Sequence, residues 1–396
     1  MKCKLGDVCE ITMGQSPKSE HYNTAGEGLP FLQGNRTFGD KYPAFDTFTT
    51  MITKTAEPND VIMSVRAPVG DLNITPLKMC LGRGLCALRH KQGEQEFLYY
   101  FMRYCVGELI NRESGTVFGS VNRNDIKNLD VDLPDLATQR EIAATLRAFD
   151  EKIAVNTKLN HHLEQMAQAI FKSWFVDFEP WGGTIPAGWN EASLESFITY
   201  QEGPGIRNWQ YVLKSGIKFI NIRCIQNGDL QLDTANMVST EEAKGKYNHF
   251  LLDEWDIVVS TSGTLGRYAI VRKEHLPLCL NTSVIRFSPK HSFEHFSYVF
   301  SYLTSAEFLD HLQTKASGSV QANFGPMHLR QINMLIPSEG VLNNYHKIVF
   351  PLMQAAVENR RKSQQLANLR DTILPRLMSG GIRSSPPLLA ENQKKR

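Results

Sequence analysis

Two sets of turn-like segments gather the side chains that pair with nucleobase edges and with phosphates. Gln15, Lys18, Gln33, Arg36 and Arg66 lie in or beside such segments early in the chain, and Arg207, Asn221, Arg223 and Arg267 in a later stretch. Arginine and lysine neutralise phosphates, while Arg, Gln and Asn can grip a base edge through paired hydrogen bonds. Any one of them would serve equally well as solvated surface. Two hydroxyl-rich loops in matching places make a stronger case. Ser114, Thr116, Ser120 and Asn122 lie in the first, and Ser317, Ser319, Gln321 and Asn323 in the second. Gly115 and Gly318 would also suit plain tight turns. A further matched pair runs from Ser64 through Arg66 to Gly70, and from Ser260 through Thr261 and Ser262 to Gly266.

The parts of an enzyme are not legible. The chain has no Asn-Pro-Pro-Tyr or Asp-Pro-Pro-Tyr methyltransferase motif, no Walker A loop, no Gly-x-Gly-x-x-Gly after a strand, and no nuclease-like carboxylate pair followed by lysine in a strand. His161 and His162 sit on a helical pattern and read as a solvated face rather than as metal ligands. The seven cysteines (Cys3, Cys9, Cys80, Cys86, Cys105, Cys224 and Cys279) are odd in number and lack zinc-type spacing, so they read as reduced core thiols. No catalytic residue, metal site or cofactor of the chain's own is expected.

The elements that position these residues show a duplication. From Arg140 to Trp174 apolar residues recur at alternating steps of four and three: Ile142, Leu146, Phe149, Ile153, then Asn156 and Asn160, then Leu163, Ala167, Ile170 and Trp174. This is a helix with a coiled-coil seam and a polar interruption. Adding 203 to each position gives Tyr345, Val349, Leu352, Ala356, Asn359, Ser363, Leu366, Arg370, Ile373 and Leu377, a second such seam in the same chain. The segments ahead of the helices repeat as well. Asp60 to Ser64 is answered by Asp256 to Ser260, Cys80-Leu81 by Cys279-Leu280, and Ser114-Gly115-Thr116 by Ser317-Gly318-Ser319, at offsets of 196, 199 and 203. Each copy reads as short strands with many turns and one buried aromatic helix, Phe97 to Asn111 in the first.

The expected organisation is therefore α+β. A recognition domain over 1–134 is followed by a central helix over 135–180, capped by Asp135 or Thr138. A second recognition domain over 181–337 leads to a C-terminal helix over 338–381 and a polar, disordered tail over 382–396. A chain of 396 residues with 42% hydrophobic and 21% charged residues can build two such cores. A formal charge of +2 neither demands nor excludes nucleic acid, since clustering on one face decides that. The N-terminus has no apolar signal region and no run approaches the roughly twenty apolar residues that span a bilayer, so a cytoplasmic location is expected.

The block Phe171-Lys172-Ser173-Trp174-Phe175-Val176-Asp177-Phe178-Glu179-Pro180, followed by Pro186-x-Gly-Trp189, resembles the central conserved region of the specificity subunits of type I restriction-modification systems. Arg370-Asp371-Thr372-Ile373-Leu374-Pro375-Arg376-Leu377-Met378-Ser379-Gly380 resembles their C-terminal conserved region, and Lys4-Leu5-Gly6-Asp7 the usual start of their first target-recognition domain. The resemblance implies a non-catalytic DNA reader in which two target-recognition domains each bind half of a bipartite sequence, held apart by two antiparallel helices. It implies as partners double-stranded DNA, two modification subunits that bring S-adenosylmethionine and methylate adenine, and restriction subunits. Phe171, Trp174, Phe175, Leu374, Leu377 and Met378 then become candidates for a partner-docking surface, or else they seat the helices on the recognition domains. The competing readings are a coiled-coil adaptor without DNA binding and a DNA-modifying enzyme with unrecognised motifs.

If the helices pair antiparallel, position x should face position 519 minus x. That sets Asn156 by Ser363, Asn160 by Asn359, Ile142 by Leu377, Leu146 by Ile373 and Trp174 by Tyr345. Phe149 opposite Arg370 is the one poor fit, for which the aliphatic stem or a cation–π contact could serve.

Overall fold

The computed structural model describes residues 1–111, 119–262, 266–315 and 324–382. They form two compact units, one built from Met1–Ile153 and the described residues from Gln364 onward, the other from Ala154–Ser363. The division falls within both long helices, Leu136–Phe175 and Glu339–Met378, each of 40 residues and offset by 203 (339 minus 136).

In the first unit a four-stranded antiparallel sheet runs in the order Cys9–Met13, Leu85–His90, Val61–Ser64, Leu72–Ile74, with Cys86 opposite both Met13 and Met63. Val61–Ser64 is buried throughout, as the apolar run Val61-Ile62-Met63 requires of a strand inside the sheet. A second, five-stranded sheet contains one parallel pair, Leu29–Leu32 beside Met79–Leu81, in which Phe31 faces Cys80. Helix Gln95–Asn111 packs Phe97, Tyr100, Met102 and Leu109 into a core shared with Ile142, Leu146, Leu374, Leu377 and Met378 of the long helices.

The second unit repeats this plan. Its four-stranded sheet has the order Ile198–Glu202, Val284–Pro289, Ile257–Ser260, Tyr268–Ile270, and the parallel pair returns as Gly216–Ile220 beside Leu278–Leu280 with Phe219 facing Cys279. Phe296, Tyr298, Phe300 and Phe308 fill its core against Phe171, Phe175, Tyr345 and Val349. A fourth offset, 189, relates the entry strands Cys9–Met13 and Ile198–Glu202, so the copies also differ in length near their start.

Asp135 caps the first long helix, accepting from the Thr138 N–H at 3.0 Å, and these bonds hold its carboxyl below the usual range. Within the second unit the helices run antiparallel in the anticipated register. The Asn156 amide donates to Ser363 Oγ (3.1 Å), the Asn359 amide donates to Asn160 Oδ1 (3.0 Å), and the rings of Trp174 and Tyr345 stand 5.8 Å apart. Asn156 and Asn160 are both buried, so these layers exclude other registers, in which the amides would lose their partners.

Within the first unit, Ile142 and Leu146 share one core with Leu374 and Leu377, and Ile373 packs against it. The Phe149–Arg370 contact is a correction. Arg370 instead reaches one residue further to donate to Asp150 Oδ1 (2.5 Å), both side chains being 13% exposed, while Tyr100 donates to the other oxygen of Asp150 (2.5 Å). A seam position thus holds an ion pair, because a long guanidinium need not touch the residue directly opposite it.

Candidate nucleic-acid interface

In the first unit three turns interlock through glycine. A Cβ on Gly14 would lie 2.1 Å from the Gly82 carbonyl oxygen, and one on Gly82 would lie 2.6 Å from the Gln33 Cα. Only hydrogen in place of a side chain permits these approaches. Main-chain bonds lock them: Gly14 N–H to Leu85 O (2.9 Å), Gln15 N–H to Leu81 O (2.9 Å) and Gly84 N–H to Gln33 O (3.1 Å). Ser16 bridges the same turns, its hydroxyl donating to Gln33 Oε1 (3.1 Å) and accepting from the Arg83 N–H (3.1 Å). The chain of bonds continues from Val65 N–H to Gly84 O (2.9 Å) and from Val121 N–H to Val65 O (3.0 Å), and Arg66 bridges Ser120. Gln15, Gln33, Arg66, Arg83 and Ser120 therefore project, exposed, from one hydrogen-bonded edge.

The second unit builds the same edge. Thr261 N–H donates to Ser283 O (3.1 Å) and Phe324 N–H to Thr261 O (3.1 Å), while a Cβ on Gly203 would lie 2.5 Å from the Asn281 nitrogen. The equivalences are Val65 with Thr261, Gly84 with Ser283 and Val121 with Phe324, at offsets of 196, 199 and 203, so the duplication extends to individual main-chain bonds. The side chains on the two edges differ. Arg83 of the first copy is answered by Thr282, and Gly82 by Asn281.

The remaining candidates divide. Lys18 is exposed, with Glu20 at 3.7 Å, and Arg36 is exposed and paired with Asp46 at 2.6 Å, a bond that holds the Asp46 carboxyl below its ordinary range. Arg207, Arg223 and Arg267 are exposed and Ser262 is half-buried. Asn221 and Asn122 cap short helical turns, Asn221 accepting from Arg223 N–H (2.9 Å) and Asn122 from Asn124 N–H (2.8 Å) and Asp125 N–H (3.2 Å). Their side-chain oxygens are committed to the fold. Ser114, Thr116, Ser317, Ser319, Gln321 and Asn323 lie outside the described residues.

Two groups need correction. Ser64, Ser260 and Thr261 are buried at 1%, 0% and 5% exposure and present no side chain at the surface. Ser64 shows why: its hydroxyl donates to Pro68 O (2.7 Å) and accepts from Asp71 N–H (2.9 Å), closing the loop from within. The proposed docking set is also internal. Phe171 and Phe175 belong to the core of the second unit, Leu374, Leu377 and Met378 to that of the first, and Trp174 packs on Trp181 and Tyr345. These residues seat the helices on the globular modules. Arg83 was missed, although the run Leu81-Gly82-Arg83-Gly84-Leu85, a glycine-flanked cation between two strands, marks such a turn.

Among the described residues no cluster of His, Cys, Asp and Glu could hold a metal ion, and no helix is long and apolar enough to cross a membrane.

Two copies of one αβ module, each presenting a polar edge of different chemistry and each packed on an antiparallel helix pair, define a tandem recognition scaffold. Residues 1–165 and 186–364 match the type I restriction modification DNA specificity domain, and the chain belongs to that family. Among its relatives, the type I restriction enzyme MjaIX specificity subunit of Methanocaldococcus jannaschii is 23% identical over 405 residues, covering 96% of this chain and 93% of that protein. The type I restriction enzyme MjaX specificity subunit of the same organism is 37% identical over 163 residues, covering 41% of this chain and 38% of the relative. The crystal structure of the S subunit of the type I restriction-modification system from M. genitalium shares the fold, with a TM-score of 0.54, 17% identity and 95% of each chain covered.

Proposed function

We propose that this chain is the non-catalytic, sequence-reading subunit of a type I restriction-modification complex, with each globular module reading one half of a bipartite duplex target. The observation that carries the reading is the repetition of one largely buried hydrogen-bonded edge, Val65–Gly84–Val121 and Thr261–Ser283–Phe324, beside which the exposed side chains differ between the copies, Arg83 in the first being answered by Thr282 in the second. The same scaffold offered twice with different readers suits two unlike half-sites, since main-chain geometry sets position and side chains set the bases accepted. The polar edge of each module, with exposed Arg66 and Arg83 on the first and exposed Thr282 on the second, also argues against a bare coiled-coil adaptor.

The long helices set the gap between half-sites and receive two modification subunits, which bring S-adenosylmethionine; restriction subunits join that assembly, and the reader binds no cofactor of its own. With the helix-end aromatics buried, docking falls to the outward face of the first long helix, where Val155, Leu159 and Met166 remain exposed at spacings of four and seven. Co-expression with the neighbouring modification subunits, followed by methylome sequencing, should show adenine methylation confined to one two-part motif. Methylation without such a motif, or none when the modification subunits are demonstrably bound and supplied with S-adenosylmethionine, would count against the proposal.

A further inference from the structure

The second module carries an exposed aromatic side chain that its counterpart lacks. Trp209 is 82% exposed, whereas Trp189 is buried and Trp174, Trp181 and Trp255 are half-buried. It sits on the short turn Asn208–Gln210, which precedes the strand Tyr211–Val212. The equivalent turn of the first copy, Ser19–His21 before Tyr22–Asn23, places Glu20 at that point, by the offset of 189.

The turn is anchored on both sides of the indole. Ile206 and Gln210 are buried at 6% and 7% exposure. Gln210 Oε1 accepts from the Arg207 N–H (2.9 Å), and its amide donates to the Tyr247 hydroxyl (2.9 Å). A rigid mount that holds tryptophan in water forgoes the burial such a large ring would gain, a pattern that marks a contact surface rather than a fold requirement. The surroundings suit an anionic partner. Arg207 shares the turn, exposed Lys214 follows Leu213, and Leu213 is itself 94% exposed. The turn also leaves the sheet at Gly203, which presses on Asn281 at the reading edge of this module.

We propose that Trp209 is a specificity-determining contact of the second reader: its indole packs against the bases of the duplex while Arg207 engages the adjoining phosphate. The inference rests on the reading of the chain as a bipartite DNA reader. The apolar face of an indole can recognise a thymine methyl or wedge at a flexible base step, discriminating by shape and contact rather than by paired hydrogen bonds. The first copy, with Glu20 in that place, reads its half-site without such a contact, so the effect of removing the ring should be confined to one half of the target.

The test uses the full chain assembled with its modification subunits and a random-sequence duplex pool, from which bound sequences are recovered. The wild-type assembly should enrich a two-part motif. Trp209→Ala should enrich the same first half and a degenerate second half, with affinity for the wild-type motif lowered about tenfold, and Trp209→Phe should restore much of both. An alanine variant that enriches the wild-type motif unchanged would overturn the proposal, as would one that loses both halves together, since that is the signature of a structural role. A wild-type assembly that enriches no two-part motif would instead overturn the bipartite reading on which the contact depends.

Discussion

Replacing Arg370 with alanine should destabilise the first unit by about 3 kcal/mol, because it strands the Asp150 carboxylate in a largely buried seam. Asp150 accepts from Arg370 and from Tyr100, with both members of the ion pair only 13% exposed. Burial, and after it the Asp150 charge, holds the Tyr100 phenol well above its ordinary pKa, so the hydroxyl remains a donor but cannot neutralise a carboxylate. The loss should therefore come from uncompensated charge. On that account Arg370→Met combined with Asp150→Asn, which keeps an acceptor for Tyr100 and removes the charge, should recover most of the stability. Urea denaturation of the three proteins decides it. A single variant as stable as the wild type would mean that water already solvates the pair.

The second large effect is expected at Gly266. Its φ is +75°, and a Cβ there would lie 2.1 Å from Leu309 Cδ2, at the turn joining strands Ile257–Ser260 and Tyr268–Ile270. Gly70 has the matching place in the first copy, with φ +93° and Val106 Cγ1 at 2.7 Å. Valine at 266 would meet the left-handed backbone cost, about 1–2 kcal/mol, while the half-buried end of Leu309 can swing aside, so a loss of about 2 kcal/mol is expected. Asparagine, which tolerates left-handed backbone, should cost less than valine despite its similar size. Thermal melts of Gly266→Val and Gly266→Asn check the order; equal melting temperatures for valine, asparagine and glycine would show that the turn relaxes freely.

Much of this architecture is visible in the residue order because duplication turns one reading into two. The offset of 203 identifies both long helices, and the polar interruption at Asn156 and Asn160 marks the register that Ser363 and Asn359 complete. Periodicity locates the stripe of a helix but not the reach of a long side chain, which is why the Arg370–Asp150 pair was hidden behind an apparent mismatch with Phe149. It also cannot separate a stripe that faces a partner from one that faces the chain's own core, as at Phe171 and Leu377. Hydroxyl-rich loops mislead in a related way. Ser64 has the composition of a surface turn, yet its hydroxyl serves the loop's own backbone. Glycines on both sides of Arg83 mark its turn in the sequence, whereas nothing around Trp209 does, because turn composition says little about which side chains a turn presents.

The claim that two independent readers share one chain is tested most directly by exchange. Residues 1–134 contain the whole first reading edge, from Gly14 to Val121, and none of the second. Replacing them with the corresponding segment of another family member, and sequencing the methylome of cells that carry the hybrid with its modification subunits, should change one half of the methylated motif. The other half and the gap should stay as they were. If both halves change together while the hybrid still directs methylation, the two modules do not read separately, and the account given of this chain is wrong.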